Sequence, residues 1–108
     1  MKKETTRERR NLGTSNPLTR LFIFGSALYS ENPRDIDILV VYATTLRPGD
    51  ALYFRAKLIR KLKKYITIPI HIVLLSRDEE REVRFIKTEN CRLLRRQDIR
   101  RWHSAGRK

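Results

Sequence analysis

Two aspartates one residue apart, Asp35 and Asp37, open an apolar run that ends at Tyr42, and a Gly25-Ser26 pair closes the apolar run before it. Along a strand, side chains alternate between faces, so Asp35 and Asp37 project from one side about 7 Å apart. Gly25 lets the backbone turn sharply where a residue with a Cβ would resist. Paired carboxylates beside such a turn are a seat for a divalent cation and for the phosphates that travel with it. Taken singly, a Gly-Ser turn is a common structural feature and an Asp-x-Asp pair can be a solvated strand end. Their joint placement on consecutive strands favours chemistry.

The elements that must hold these residues follow from the apolar periodicity. Residues 21–24 read as a first strand, with Ser26 as N-cap of a short helix over 27–30. Residues 35–42 read as a second strand, apolar on both faces after Asp37 and therefore central in its sheet. Residues 51–66 are helical, with Asp50 able to cap them. Ala51, Leu52, Phe54, Leu58, Ile59, Leu62, Tyr65 and Ile66 fall on one arc of that helix, and Lys57, Arg60, Lys61, Lys63 and Lys64 on the other. Residues 67–75 make a third strand with His71 in its middle. Ser76 and Glu79 spell a capping box, and the helix it starts runs to about residue 87 or 88, burying Val83 and Ile86. Residues 91–94 are a short apolar patch. The order is β-α-β-α-β-α with a short final element, an α/β (α+β) arrangement in which a small mixed sheet is backed by helices.

The chain has 108 residues and a net charge of +13, with a pI near 10.7. One domain is expected, over residues 17–94, between a flexible basic segment at 1–16 (a frayed helix at 3–10) and a basic tail at 95–108. Its core of about 70 residues is small enough that a protein partner or a homo-oligomer is in keeping with it. The charge points to polyanions: RNA, DNA, nucleotides or an acidic protein. Lys57, Arg60, Lys61 and Lys64, with Arg95, Arg96, Arg100 and Arg101, are the candidate nucleic-acid or partner contacts. Trp102, among arginines, is placed either to stack on a base or to dock on its own domain or a partner. The single Cys91 excludes an internal disulfide, and no Cys/His spacing suggests zinc. No apolar run reaches the length of a membrane span and no signal-peptide core is seen, so an intracellular, cytoplasmic protein is expected.

The stretch FGS, eight residues, DID-ILVV resembles the nucleotidyltransferase domain of DNA polymerase beta-like enzymes. The likeness is greatest to their minimal, single-domain members, found as partners of HEPN-domain proteins in toxin–antitoxin pairs. It covers about residues 18–86. The resemblance implies a nucleotidyltransferase fold and transfer of a nucleoside monophosphate from an NTP such as ATP to a hydroxyl on a protein or RNA. In that setting Asp35 and Asp37 would be catalytic and hold two Mg²⁺ ions, or Mn²⁺ in their place. Gly25, Ser26 and Arg34 would bind the nucleotide, although Arg34 can equally pair with Glu31. Active members carry a third carboxylate on the next core strand, where this chain has His71. His71 is then a neutral metal ligand or general base, or a core histidine hydrogen-bonded to Asp35 or Asp37 in a site that no longer turns over. The alternative is a catalytically degenerate module that binds nucleic acid or a protein through its basic surface, or an antitoxin that acts by contact.

Overall fold

A computed structural model describes residues 18–106. The residues assigned above to an N-terminal segment and its frayed helix lie outside that range. Strand β1 (Thr19–Phe24) enters a 3-10 turn (Gly25–Leu28), and β2 (Ile36–Tyr42) follows. Helix α1 (Pro48–Leu62), β3 (Ile70–Ser76), α2 (Arg77–Val83), α3 (Phe85–Thr88), β4 (Arg92–Leu93) and α4 (Arg96–Gly106) complete the order. The result is a mixed α/β domain with a four-stranded sheet, ordered β3-β2-β1-β4. β2 runs antiparallel to β1 and parallel to β3, and β4 pairs antiparallel with β1. As its two-sided apolar run predicts, β2 is internal.

Register separates the strand residues into two faces. Ile23, Ile38 and Ile72 align in one row, and Phe22, Leu39 and Val73 in the next. Leu21, Ile23, Ile36, Ile38 and Val40 belong to the larger core, covered by Leu58 and Leu62 of α1 and by Ile99 and Trp102 of α4. Phe22, Leu39 and Val41 form a smaller cluster on the opposite face under Phe85, Ile86 and Cys91. Helices therefore cover both faces. No helix among the described residues is long and apolar enough to cross a membrane.

Several boundaries differ from the sequence expectation. Helix α1 starts at Pro48, whose missing N–H has no intrahelical role at a first position. Asp50 thus sits in the first turn, paired with Arg47 at 3.7 Å, instead of capping it. The capping box of Ser76 and Glu79 is formed as read, with both reciprocal bonds present. The helix it opens breaks at Arg84, which takes left-handed backbone angles with φ 54°. That break resets the helical period, so Val83 is 56% exposed while Ile86 still packs on the smaller core. The largest correction concerns residues 95–108. Residues 96–106 are not a tail but a helix of the main core, because Ile99 and Trp102 complete the face that α1 leaves open.

Candidate functional site at the ends of β1 and β2

The antiparallel register pairs Phe24 with Asp37, and the parallel register pairs Asp37 with His71. The three side chains form the last row of the smaller face, where the sheet runs out. Gly25 follows Phe24 with φ +75°, and a Cβ built on it would lie 2.5 Å from Asp37 Oδ2. Two physical requirements therefore coincide at this residue: left-handed angles, and a carboxylate against the bare Cα. Gly25→Ala is expected to destabilise the protein by about 1–3 kcal/mol in a denaturant titration, because strain and the displacement of Asp37 act together. Gly49→Ala is the control. Nothing lies within 4 Å of a Cβ there, and in the first turn of α1 alanine stabilises by up to about 1 kcal/mol. Equal behaviour of the two variants would remove the special role of Gly25.

His71 Nδ1 lies 3.5 Å from Asp37 Oδ1, an ion-pair distance longer than a good N–H···O bond. The His71 side chain is 63% exposed and Asp37 half-buried. The expectation of a core histidine is thus corrected: β3 is an edge strand, and the His71 side chain stays exposed. Asp35 is half-buried in the bend before β2, one residue outside the strand, so strand alternation does not govern its direction. Among the described residues no three His, Cys, Asp or Glu side chains converge as a metal-holding group. Such a donor set does not make a resident all-protein metal cage. It does fit Mg²⁺ as that ion is held beside substrate phosphates, through one or two carboxylates with waters and phosphate oxygens completing the shell. The Asp37 carboxylate fills the space beside the bare Cα of Gly25, so the glycine is what lets it sit at this turn.

Ser26 is exposed, and its hydroxyl caps no helix. The 3-10 turn starts two residues earlier than expected, with Phe24 at the N-cap position, and the Ser26 carbonyl accepts from the N–H groups of Tyr29 and Ser30. Arg34 is exposed, and no ion pair joins it to Glu31. The structure thus brings Gly25, Asp37 and His71 together, with Asp35 one residue before the strand. Phe24 and Phe85 were not singled out in the sequence. Their rings meet edge-to-face at 5.0 Å and form an apolar wall beside Asp37. Phe24 was recoverable once its antiparallel pairing with Asp37 was drawn; Phe85 was hidden by the break at Arg84. A cleft of about 210 Å³ on the same face involves Arg20, Phe22, Val41 and Arg77. Val41 is four residues along β2 from Asp37, about 13 Å, so that cleft is a separate feature. Burial, with the Glu89 and Glu80 carboxylates, pushes the Cys91 thiol up to about 11. It stays protonated near neutrality and is unsuited to act as a nucleophile.

The basic candidates divide into two groups. Lys57, Arg60 and Lys61 are exposed on α1 and Lys64 in the turn just past it, as are Arg96 and Arg100 on α4. Arg101 is tied inward, donating to the Ala27 carbonyl and lying 3.5 Å from Asp98, while Arg95 is exposed but paired with Asp98 at 3.8 Å. No family model matches the chain, and no curated protein or solved structure matches it either.

Proposed function

We propose that the chain is a nucleotidyltransferase-type domain that binds an NTP with Mg²⁺ at the ends of β1 and β2 and passes its nucleoside monophosphate to a hydroxyl on a protein or RNA. The observation that carries this reading is the contact between Gly25 and Asp37, a glycine with positive φ lying bare against a carboxylate. Asp37, with Asp35 before it, holds the cation. Gly25 lets that carboxylate sit at the turn, and the exposed Ser26 hydroxyl is free to donate to the phosphates. Arg34 is free to face the departing pyrophosphate. In the transfer, the acceptor oxygen bonds to the α-phosphorus, the bond from that phosphorus to the bridging oxygen breaks, and pyrophosphate leaves. The hydroxyl proton passes to His71, across from Asp37, or to water. Mg²⁺, when bound, supplies charge neutralisation on the triphosphate and acidifies the attacking hydroxyl. A HEPN-domain protein is the protein partner that the sequence resemblance implies.

A second reading is favoured by one observation, that β3 offers an imidazole and no third carboxylate near Asp37. In it the domain binds nucleotide without turnover. Calorimetric titration of ATP, with and without Mg²⁺, tests the shared basis of both. Binding that needs Mg²⁺ and weakens about tenfold or more, about 1.4 kcal/mol, in Asp37→Asn supports the site. Binding indifferent to the metal and to that substitution overturns it. Transfer of label from the α-phosphate to a co-purified protein or RNA then separates turnover from binding alone.

A further inference from the structure

We propose that the solvent face of α1, continued by α4, is a docking surface for single-stranded nucleic acid. The inference does not depend on the Asp37 site. Lys57, Arg60 and Lys61 are spaced i, i+3 and i+4, so they form one stripe along the helix, and Lys64 follows in the turn just past its end. All four are exposed, and the stripe points away from Ala51, Leu58 and Leu62, which bury the other side. Charged helix faces that only solvate a protein usually alternate signs, since opposite charges at i, i+4 support the helix and like charges weaken it. Here Lys57 faces Lys61, with Arg60 beside them and Lys63 and Lys64 adding like charge just past the helix end. No Asp or Glu occurs from residue 51 to residue 77 to relieve them. A bound polyanion removes that repulsion.

The fold then extends the stripe in a way that the order of the chain does not show. His103 Nδ1 meets the Tyr65 carbonyl just past the end of α1, and the Tyr65 and His103 rings lie 6.5 Å apart, edge to face. On α4, Arg96, Arg100 and His103 are spaced i, i+4 and i+7, so the exposed arginines lie on the side of that helix that meets α1. Two basic stripes, each about 10 Å long, join at this seam. Arg95 and Arg101 take no part, being held by Asp98 and the Ala27 carbonyl.

The aromatic content selects the kind of strand. Tyr53 is 64% exposed at the head of the α1 stripe with Lys57 Nζ 5.4 Å from its ring centre, and Tyr65 is 45% exposed at the seam. Cations that track a backbone, interleaved with exposed rings, suit unpaired bases that can stack outward. In a duplex the bases are already stacked on one another and the rings have nothing to receive.

The test uses the full chain, a fluorescein-labelled uridine 20-mer and a labelled RNA duplex of equal length, with anisotropy read from 50 to 200 mM salt. The 20-mer is expected to bind more tightly than the duplex, with log K falling linearly in log salt at about 0.7 per phosphate contacted. Lys57→Ala, Lys61→Ala and Lys64→Ala combined should flatten that slope by about 2. Circular dichroism should show the triple variant melting no lower than the parent, because like-charge pairs have been removed. Tyr53→Ala should weaken the 20-mer about fivefold or more with the slope unchanged. Three outcomes would overturn the proposal: no binding at 50 mM salt, a slope untouched by the triple variant, or a preference for duplex with Tyr53→Ala silent. The second would move binding to other basic segments of the chain.

Discussion

Trp102→Ala destabilises the protein by about 3–5 kcal/mol, as a urea titration followed by circular dichroism would measure. The indole is fully buried, and it shares a cluster with Leu21 and Ile23 of β1, Ile38 and Val40 of β2, and Leu58 and Leu62 of α1. Its removal therefore opens a cavity where the sheet, α1 and α4 meet. A domain of this size holds about 5–15 kcal/mol in all, so the loss is about a fifth of the total or more. Trp102→Phe is the informative companion. The indole N–H is buried and has no hydrogen-bond partner among the described residues, so phenylalanine forfeits packing volume but no polar contact there, and a loss well below that of alanine is expected. A drop under about 1 kcal/mol for Trp102→Ala would mean that α4 is an appendage and not part of the core.

The second large effect is expected at Asp98, which is also fully buried. Arg92 grips both its oxygens, at 2.9 and 3.1 Å, and the Arg95 N–H donates to it at 2.8 Å. Burial pushes the Asp98 carboxyl up. The hydrogen bonds from Arg92 and from the Arg95 backbone, with the charges of both arginines, outweigh that and hold it below its usual value. The sign of the pH dependence follows. A carboxyl with a depressed folded-state pKa contributes stability that is present above its unfolded value, near about 3.9, and is lost as pH falls through the folded value. Asp98→Ala removes one partner and strands the Arg92 guanidinium and the Arg95 N–H, at a cost of about 3–5 kcal/mol. Asp98→Asn keeps part of the hydrogen bonding and should cost less. Its stability should also fall less steeply than the parent's from about pH 4 downward. Parallel acid profiles for parent and Asp98→Asn would rule out the clamp as a source of acid lability.

Both residues lie in the segment that composition misreads. Residues 95–108 carry a dense run of arginines, and only Ile99 and Trp102 are strongly apolar on α4. Two such residues three positions apart do not announce a buried helix; the open face beside α1 decides it. Asp98 likewise looks like a surface acid until the fold brings Arg92 to it. The strands were legible because their periodicity is strong, and so was the capping box at Ser76, because its bonds are local. The break at Arg84 was not legible, since arginine carries no preference for left-handed backbone angles. At the candidate site, the alignment of His71 with Asp37 could be anticipated from three successive strands. The exposure of His71 could not, because it depends on which strand ends the sheet.

That last point bears on how the molecule behaves in company. β3 ends the sheet, and the outward-facing half of its backbone donors and acceptors meets no neighbouring strand among the described residues. From Ile70 to Ser76 it holds no lysine, acid or proline of the kind that discourages a visiting strand. The protection comes from elsewhere, in a net charge of +13 that makes copies repel before their edges can meet. Salt, which frees a polyanion from the basic stripe, also shortens the range of that repulsion. Releasing a nucleic acid and unmasking a self-adhesive edge are thus two results of one change in the solvent.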